Sequence, residues 1–227
     1  MLKILLTGAG TPLGLAVARE LRSKGHTLRL SDQEQLRTDG EFVKSQLSHG
    51  KTTDRLVKGM HTIVHIPVPA SDEASAWIDA GTRTIYNLLT AASIADIKHV
   101  VYVSTLDLMV AYDSNIRVDE NFRPRPNGEP HQLAAYLGEF VAEEFAQTRQ
   151  LGLTVLRLGH LTEDDTPGDD MSLHLHDAAC AVARAVNTNN NFRLYHVQGD
   201  YPGARFSIHA AQHGLDWQPK QLKKEGA

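Results

Sequence analysis

The feature that most constrains the fold of this chain is a glycine-containing loop close to its N-terminus. An apolar run at residues 2–6 leads directly into the loop, and apolar residues at helical spacing follow it over residues 13–23. The loop itself reads Thr7-Gly8-Ala9-Gly10-Thr11-Pro12-Leu13-Gly14. A strand, a glycine turn and a helix in this order are typical of the corner at which βαβ units bind the pyrophosphate of a dinucleotide. The sequence therefore predicts a dinucleotide-binding loop.

Each glycine of this loop has a separate mechanical role. Gly8 permits the tight turn, Gly10 lets the backbone approach the pyrophosphate, and Gly14 lets the helix pack closely on the strand. Pro12 suits the first helical turn, where no amide donor is lost. The unpaired N–H groups of that turn attract the negative phosphates.

A carboxylate at the expected distance from the loop indicates which dinucleotide is bound. Asp32 follows the second predicted strand, residues 27–30, and lies about 18 residues past Gly14. A carboxylate at this place accepts hydrogen bonds from the adenosine ribose and repels a 2′-phosphate. We therefore expect NAD rather than NADP. The alternative is a purely structural glycine turn, with Asp32 as a helix cap.

The rest of the chain alternates short apolar runs with helical patterns, which is typical of βαβ units around a parallel sheet. Further strands are predicted at residues 42–43, 62–66, 99–103, 154–158 and 192–197. Helices are predicted at residues 53–58, 74–93, 132–150 and 177–187. We expect a doubly wound α/β fold of the Rossmann type, with residues 1–227 as one domain. Residues 159–177 and 199–227 form a small portion on the substrate side.

Composition excludes several classes of function. The formal net charge of −4 argues against binding to nucleic acid or an anionic membrane. No apolar run approaches the roughly 20 residues that span a bilayer. The single cysteine, Cys180, leaves no partner for an internal disulfide and fits a reducing cytoplasm. We expect a cytoplasmic protein whose partner is a small-molecule substrate.

Several segments resemble a known family. The loop matches a TGxxGxxG pattern at Thr7, Gly8 and Gly14, with Thr11 at the middle glycine position. Further matches to the family's patterns lie at residues 59–66, 81–89, 101–105, 174–179 and 214–219. The chain resembles the extended and atypical branch of the short-chain dehydrogenases/reductases, the NAD-dependent epimerase/dehydratase group. This resemblance implies that the cofactor contacts Thr7, Gly8, Gly10, Thr11, Pro12, Leu13, Gly14, Asp32 and His65.

The resemblance also implies a catalytic set of Ser/Thr, Tyr and Lys, the last two spaced Y-x-x-x-K. It places Thr105 and Tyr136 at the first two positions, whereas the lysine position holds Phe140. Phe140 shares a helix face with Tyr136 and would fill the space of the lysine. Without a nearby positive charge, deprotonating a tyrosine to its phenolate at pH 7 costs about 4 kcal/mol.

Several alternatives stay open at these positions. Tyr136 and Phe140 belong to an apolar helical stripe of the kind found in a core or an interface. His160 follows a strand at the sheet edge where ligands bind, so it is a second candidate for proton exchange. Arg157 lies within that strand and is expected in an ion pair or on the sheet face.

Two functions follow from these residues. The first is an NAD-dependent oxidoreductase or epimerase acting on a small sugar-like or hydroxy compound, because the interval 159–176 leaves only a short lid. The second is a dinucleotide-binding sensor or partner subunit that has lost the catalytic lysine. No metal is expected, since Asp177 beside His174 and His176 is interpreted as a helix cap. The resemblance implies a homodimer through helices 74–93 and 132–150, and the apolar residues Trp77, Ile85, Leu88, Leu137 and Val141 fit such a contact.

Overall fold

The protein is built around one seven-stranded sheet in which all strands run parallel. The computed structural model describes residues 1–149, 151–188 and 191–222. The strand order is β3-β2-β1-β4-β5-β6-β9. These strands are β1 Lys3–Thr7, β2 Thr27–Asp32, β3 Glu41–Lys44, β4 Thr62–His65, β5 His99–Thr105, β6 Gly152–Leu158 and β9 Phe192–Val197. The predicted doubly wound α/β fold is confirmed.

Helices cover both faces of the sheet. They are α1 Pro12–Ser23, α2 Lys51–Val57, α3 Ala74–Asp79, α4 Ile85–Ile94, α5 Pro130–Arg149, α6 Leu175–Ala185 and α7 His209–Gly214. One apolar core lies between the sheet and α1 with α6, and a second lies between the sheet and α2, α4 and α5. Strands β1, β4 and β5 are buried on both sides, which explains their nearly continuous apolar sequences. No helix of the described residues is long and apolar enough to cross a membrane.

The helix predicted over residues 74–93 is interrupted. A turn of π-helix, Ala80–Thr84, separates α3 from α4. Gly81 lies in this turn, where a Cβ would come within 2.0 Å of the Ala134 carbonyl oxygen of α5. The two helices therefore approach with almost no side chain between them.

Three elements were not predicted from the sequence. A second, two-stranded parallel sheet joins β7 His160–Thr162 to β8 Ser172–His174, and α7 follows β9. The pair β7–β8 frames the loop at residues 163–171, and Glu163 of this loop lines a cavity together with Leu158 at the end of β6. Strands of three residues are too short for an alternating pattern to be recognised.

The start of α6 also differs from the prediction. His174, rather than Asp177, caps this helix, because its ring accepts a hydrogen bond from the His176 amide. Asp177 lies in the first turn of the helix and accepts from the backbone amides of Lys220 and Gln221. Its carboxylate therefore ties the C-terminal segment to α6.

Candidate functional site

The glycine loop forms a closely packed corner between β1 and α1. Gly8 has φ of +69°, and a Cβ there would lie 2.4 Å from the Ile66 carbonyl oxygen. A Cβ on Gly14 would lie 2.2 Å from the carbonyl oxygen of Gly8. Both positions therefore require glycine, which leaves the N-terminal amides of α1 open to a phosphate. The corner fits the backbone cradle that a dinucleotide needs.

Thr11, at the middle glycine position of the family pattern, is turned toward the helix. Its hydroxyl accepts a hydrogen bond from the Gly14 amide at 3.0 Å and donates one to the Gly8 carbonyl at 2.8 Å. The side chain caps α1 while Pro12 occupies the first helical position. Thr11 thus stabilises the loop from within.

Asp32 ends β2 directly beside this loop. One carboxylate oxygen accepts from the Gly10 amide at 2.7 Å, and the other accepts from the Gln33 amide at 2.7 Å. The loop and the acidic side chain, predicted separately from the sequence, are brought together.

His65 lies beneath the loop in the buried end of β4. Its Nδ1 is 2.7 Å from the Thr7 hydroxyl, and its ring packs on Tyr102 with a centroid separation of 5.8 Å. Burial lowers the pKa of His65 to about 4, so the ring is neutral at pH 7. Its Nε2 has no hydrogen-bond partner among the described residues.

A cavity of about 520 Å³ opens beyond the carboxyl ends of β4 and β5. Its walls come from these two strands, α3, the π turn and the first turns of α5. The side chains used in the argument below are Asp72, Trp77, Thr105, Asp107, Glu129, His131 and Ala135.

A second cavity of about 480 Å³ lies next to it, over α1 and the end of β6. It is lined by the start of α1 with Thr11 and Pro12, and by Leu161 and Glu163 from the lid. Thr105 lines both cavities. This residue therefore stands between the glycine loop and the larger cavity.

Thr105 is held by the turn that follows it. Its hydroxyl oxygen accepts a hydrogen bond from the Asp107 amide at 3.1 Å, at the start of the 3₁₀ turn Leu106–Met109. The hydroxyl proton stays available to a ligand. Asp107 in turn lies between two histidines, since its carboxylate oxygens are 2.8 Å from His160 Nε2 and 3.8 Å from His131 Nε2.

His160 links the strand end to the lid. Its Nδ1 contacts the carboxylate of Asp169, so its ring bridges two acids. Burial alone would lower the pKa of His160, but the hydrogen bonds to Asp169 and Asp107 and their negative charges outweigh it and raise the pKa. His160 is thus part of a structural bridge at the predicted sheet edge.

Tyr136 and Phe140 share one face of α5, as predicted, but it is the outer face. Their side chains are 39% and 56% exposed. The same helix presents His131, Ala134 and Ala135 to the larger cavity. Neither residue is among those that line the two cavities, and the roles expected for Tyr136 and Phe140 stay predictions.

The inner face of α5 carries a buried ion pair. Glu139 accepts from the Arg157 guanidinium at 2.7 and 2.9 Å and from the Ser104 hydroxyl at 2.6 Å. The predicted ion pair of Arg157 is confirmed. Burial and the positive charge of Arg157 lower the pKa of the neighbouring His196 to about 3.

Sequence reasoning missed Asp107 and His131. The first follows the buried strand β5 by two residues and the second follows Pro130 at the start of α5. A polar residue just past a buried parallel strand was the available signal for Asp107.

The histidines near residue 175 do not assemble a metal site with Asp177. In the described part of the chain, donor atoms of Glu20, His176 and Cys180 lie within 4.8 Å of one another between α1 and α6. Glu20 is already paired with Lys24 at 3.0 Å.

Comparisons with known proteins agree with this geometry. Residues 4–197 match the model of the NAD-dependent epimerase/dehydratase family. Two curated relatives are uronate dehydrogenases, from Pseudomonas syringae pv. tomato at 26% identity and from Pseudomonas putida at 24%, each over 162 residues. These matches cover 69% of the chain but only 58% and 60% of the relatives.

Solved structures share the fold over nearly the whole chain. A glucuronic acid dehydrogenase from Chromohalobacter salexigens has a TM-score of 0.85 at 22% identity, covering 97% of this chain and 85% of that one. A UDP-N-acetylglucosamine 4-epimerase from Bacillus cereus has a TM-score of 0.82 at 17% identity, covering 97% and 92%.

Proposed function

This chain belongs to the NAD-dependent epimerase/dehydratase family, and from that premise we propose that it binds NAD and transfers hydride to or from a small sugar-like or other hydroxy compound. The observation that carries the proposal is the position of Thr105 between the glycine loop and the larger cavity. The relatives named uronate dehydrogenase support the oxidoreductase class. Residues 159–177 and 199–227, of which 223–227 lie outside the described residues, form the substrate side of one domain.

The cofactor binds along the carboxyl edge of the sheet. The amides at the start of α1 would hold the pyrophosphate, and the Asp32 carboxylate, which accepts from the Gly10 amide in this structure, would hold the adenosine ribose. Asp32 repels a 2′-phosphate, so NAD is preferred over NADP. His65 supports the loop from below through Thr7. Bound NAD supplies the hydride acceptor, and the residues of the chain bind and orient the two reactants.

Thr105 binds the oxygen of the reacting carbinol or carbonyl through its free hydroxyl proton. The assignment of Tyr136 as its partner stays a prediction, and the outward direction of that side chain favours Thr105 as the more important residue. His131 lines the same cavity and is the candidate for proton exchange with the substrate.

A second candidate function is dinucleotide binding without turnover. The observation that favours it is the face that α5 presents to the cavity, where Ala134 and Ala135 offer neither a phenol nor an amine. Such a protein binds NAD through the same loop and senses or delivers it. The two candidates differ in turnover and agree in cofactor binding.

Calorimetric titration with NAD⁺, NADH, NADP⁺ and NADPH tests cofactor binding, which both candidate functions require. We expect NAD(H) to bind more tightly than NADP(H), and Asp32→Ala to weaken NAD(H) binding about tenfold or more through loss of the ribose contacts. Asp39→Ala, an exposed carboxylate in the next loop, is the matched control and leaves the affinity unchanged. Binding of none of the four dinucleotides would refute the proposal.

Turnover separates the two candidates. Among hydroxy compounds screened for NADH formation, an oxidised substrate supports the enzyme, and Thr105→Val should then lower kcat about a hundredfold. Thr52→Val, an exposed threonine of α2, is the control. Tight NAD(H) binding with no turnover on any compound supports the sensor.

We also propose that the protein forms a homodimer through α4 and α5. Tyr86, Tyr136 and Phe140 are exposed apolar side chains on these two helices, which pack together through Tyr86 and Phe145. Ile85 and Leu88, expected at the contact, are instead buried in the core. An isologous contact of the two helices with their symmetry mates covers the exposed rings.

A further inference from the structure

The charged side chains around the candidate substrate site are almost all acidic. The larger cavity is lined by Asp72, Asp107 and Glu129, and the neighbouring cavity by Glu163. His131 is the one basic side chain among the described residues that line the two cavities. A ligand in this space therefore meets a negative field.

Most of this charge is not neutralised by the protein. His160 offsets Asp107, and it also contacts Asp169 of the lid. Within the described part of the chain, no ion pair involves Asp72, Glu129 or Glu163. Asp164 and Asp165 add further carboxylates to the lid.

Three arginines in neighbouring segments make contacts within the protein. Arg157 is buried against Glu139. The guanidinium of Arg205 donates to the carbonyl oxygens of Val110 and Tyr112. Arg125 lies 4.0 Å above the ring of Tyr112. No arginine or lysine of the described residues lines either cavity, so a carboxylate on the substrate would lack the paired N–H donors with which proteins usually hold such a group.

We propose that the substrate is a hydroxy compound that carries a protonated amine, such as an amino sugar, and that the site disfavours an acid. The proposal rests on the proposed function, since it concerns the same cavity and the same Thr105. The proposed substrate carries a positive charge and so differs from the acids named in the relatives called uronate dehydrogenases. The reacting carbinol lies at Thr105, and the ammonium group lies toward Asp72 and Glu129.

Asp72 and Glu129 are exposed, so water and salt weaken their effect. Exposed charges of this kind should still make the affinity for a positively charged substrate roughly ten- to a hundredfold higher than that for a negatively charged one. The preference for a positively charged substrate should shrink as the salt concentration is raised, because the Debye length falls from about 30 Å at 0.01 M to about 3 Å at 1 M.

Three sugars of matched size test the proposal: glucosamine, glucose and glucuronate. Binding to the NADH-saturated protein is measured by calorimetric titration at low and at high salt, so the result does not depend on turnover. We expect the affinity to fall in the order glucosamine, glucose, glucuronate, with the differences reduced at high salt. Equal affinities, binding of glucuronate as tight as that of glucose, or binding of none of the three would overturn the proposal.

A charge-neutralising double variant, Asp72→Asn/Glu129→Gln, should bring the affinities for glucosamine and glucuronate closer together. The control Asp54→Asn/Asp96→Asn removes the same charge from α2 and from the opposite edge of the sheet, and it should leave the ratio unchanged. An equal effect of both variants would show a general charge effect and refute a local one. Failure of NADH binding would instead refute the proposed function, which separates the two results.

Discussion

At the scale of single residues, Asp107 organises the region around Thr105. Its amide holds the threonine hydroxyl, and its carboxylate contacts His160, whose other nitrogen reaches Asp169 of the lid. One short segment therefore fixes both the direction of Thr105 and the position of the lid. The orientation of the candidate catalytic hydroxyl depends on a residue that does not itself have to react.

The bridge through His160 should make stability depend on pH. Its folded pKa is raised above the unfolded value, so the stabilisation is fully present below about pH 6.5 and is lost as the pH rises through the folded pKa. Because the ring is partly exposed, we expect about 0.5–1 kcal/mol.

The measurement is urea unfolding of the wild type and His160→Gln between about pH 6 and 9. The difference in the free energy of unfolding should shrink with rising pH. His213→Gln, a histidine of α7 outside the lid, is the control variant. A constant difference across the range would mean that the charge on His160 does not stabilise the fold.

Removing one partner of the buried ion pair between Glu139 and Arg157 should destabilise the fold more than replacing both partners. Glu139→Ala leaves the guanidinium buried and uncompensated, and we expect a loss of about 3–5 kcal/mol in the free energy of unfolding. The double variant Glu139→Leu/Arg157→Met should recover a large part of it, since neither charge then remains. Chemical denaturation of the three proteins measures this, and a double variant less stable than the single one would contradict the interpretation.

At the scale of elements, β1, the glycine loop and α1 could be predicted because their constraints are local. Gly8 and Gly14 are needed for contacts within one βαβ unit, so their spacing is visible in the sequence. The rotation of α5 could not be predicted in the same way. Gly138, whose Cβ would lie 2.0 Å from the Tyr102 hydroxyl, and Ala134 against Gly81 bring the inner face of α5 close to its neighbours.

Small residues carry little hydrophobic signal, so the larger side chains of α5 dominated the pattern. The stripe that contains Tyr136 and Phe140 predicts a core or an interface, and close packing of glycine and alanine on the other face leaves these two rings exposed rather than in the core. The candidate site was predicted where it depends on the loop and on the end of β5. It was missed where it depends on which face of α5 meets the cavity, because tertiary contacts decide that rotation.

The glycine corner gives a prediction at this scale. Gly14→Ala places a methyl group against backbone atoms of Gly8 and Ala9, which cannot move aside as a side chain can. We expect a loss of about 1–3 kcal/mol in stability together with weaker NADH binding. Gly168→Ala, where the nearest atom is 3.8 Å away, is the control. Unfolding curves and calorimetry check both effects, and unchanged NADH affinity in Gly14→Ala would argue against phosphate binding at this corner.

At the scale of the whole molecule, the sheet order gathers the proposed site at one edge. Strands β1, β4, β5 and β6 are neighbours, and their carboxyl ends carry the loop, His65, Thr105 and the lid. The opposite side of α4 and α5 is left with exposed aromatic rings. The proposed site and the proposed dimer contact therefore lie on different faces of α5, since His131 lines the cavity while Tyr136 and Phe140 are exposed.

This separation predicts that the dimer can be broken without loss of the cofactor site. Phe140→Glu places a charge within the proposed isologous contact, where it meets its own symmetry mate, and we expect a monomer in light scattering after size exclusion. NADH binding should stay within about twofold, because a difference of less than about 0.5 kcal/mol is typical of surface substitutions. Leu15→Glu, an exposed leucine of α1, is the control and should stay dimeric. A monomeric wild type would refute the contact, and a dimeric Phe140→Glu would move it to another face of the molecule.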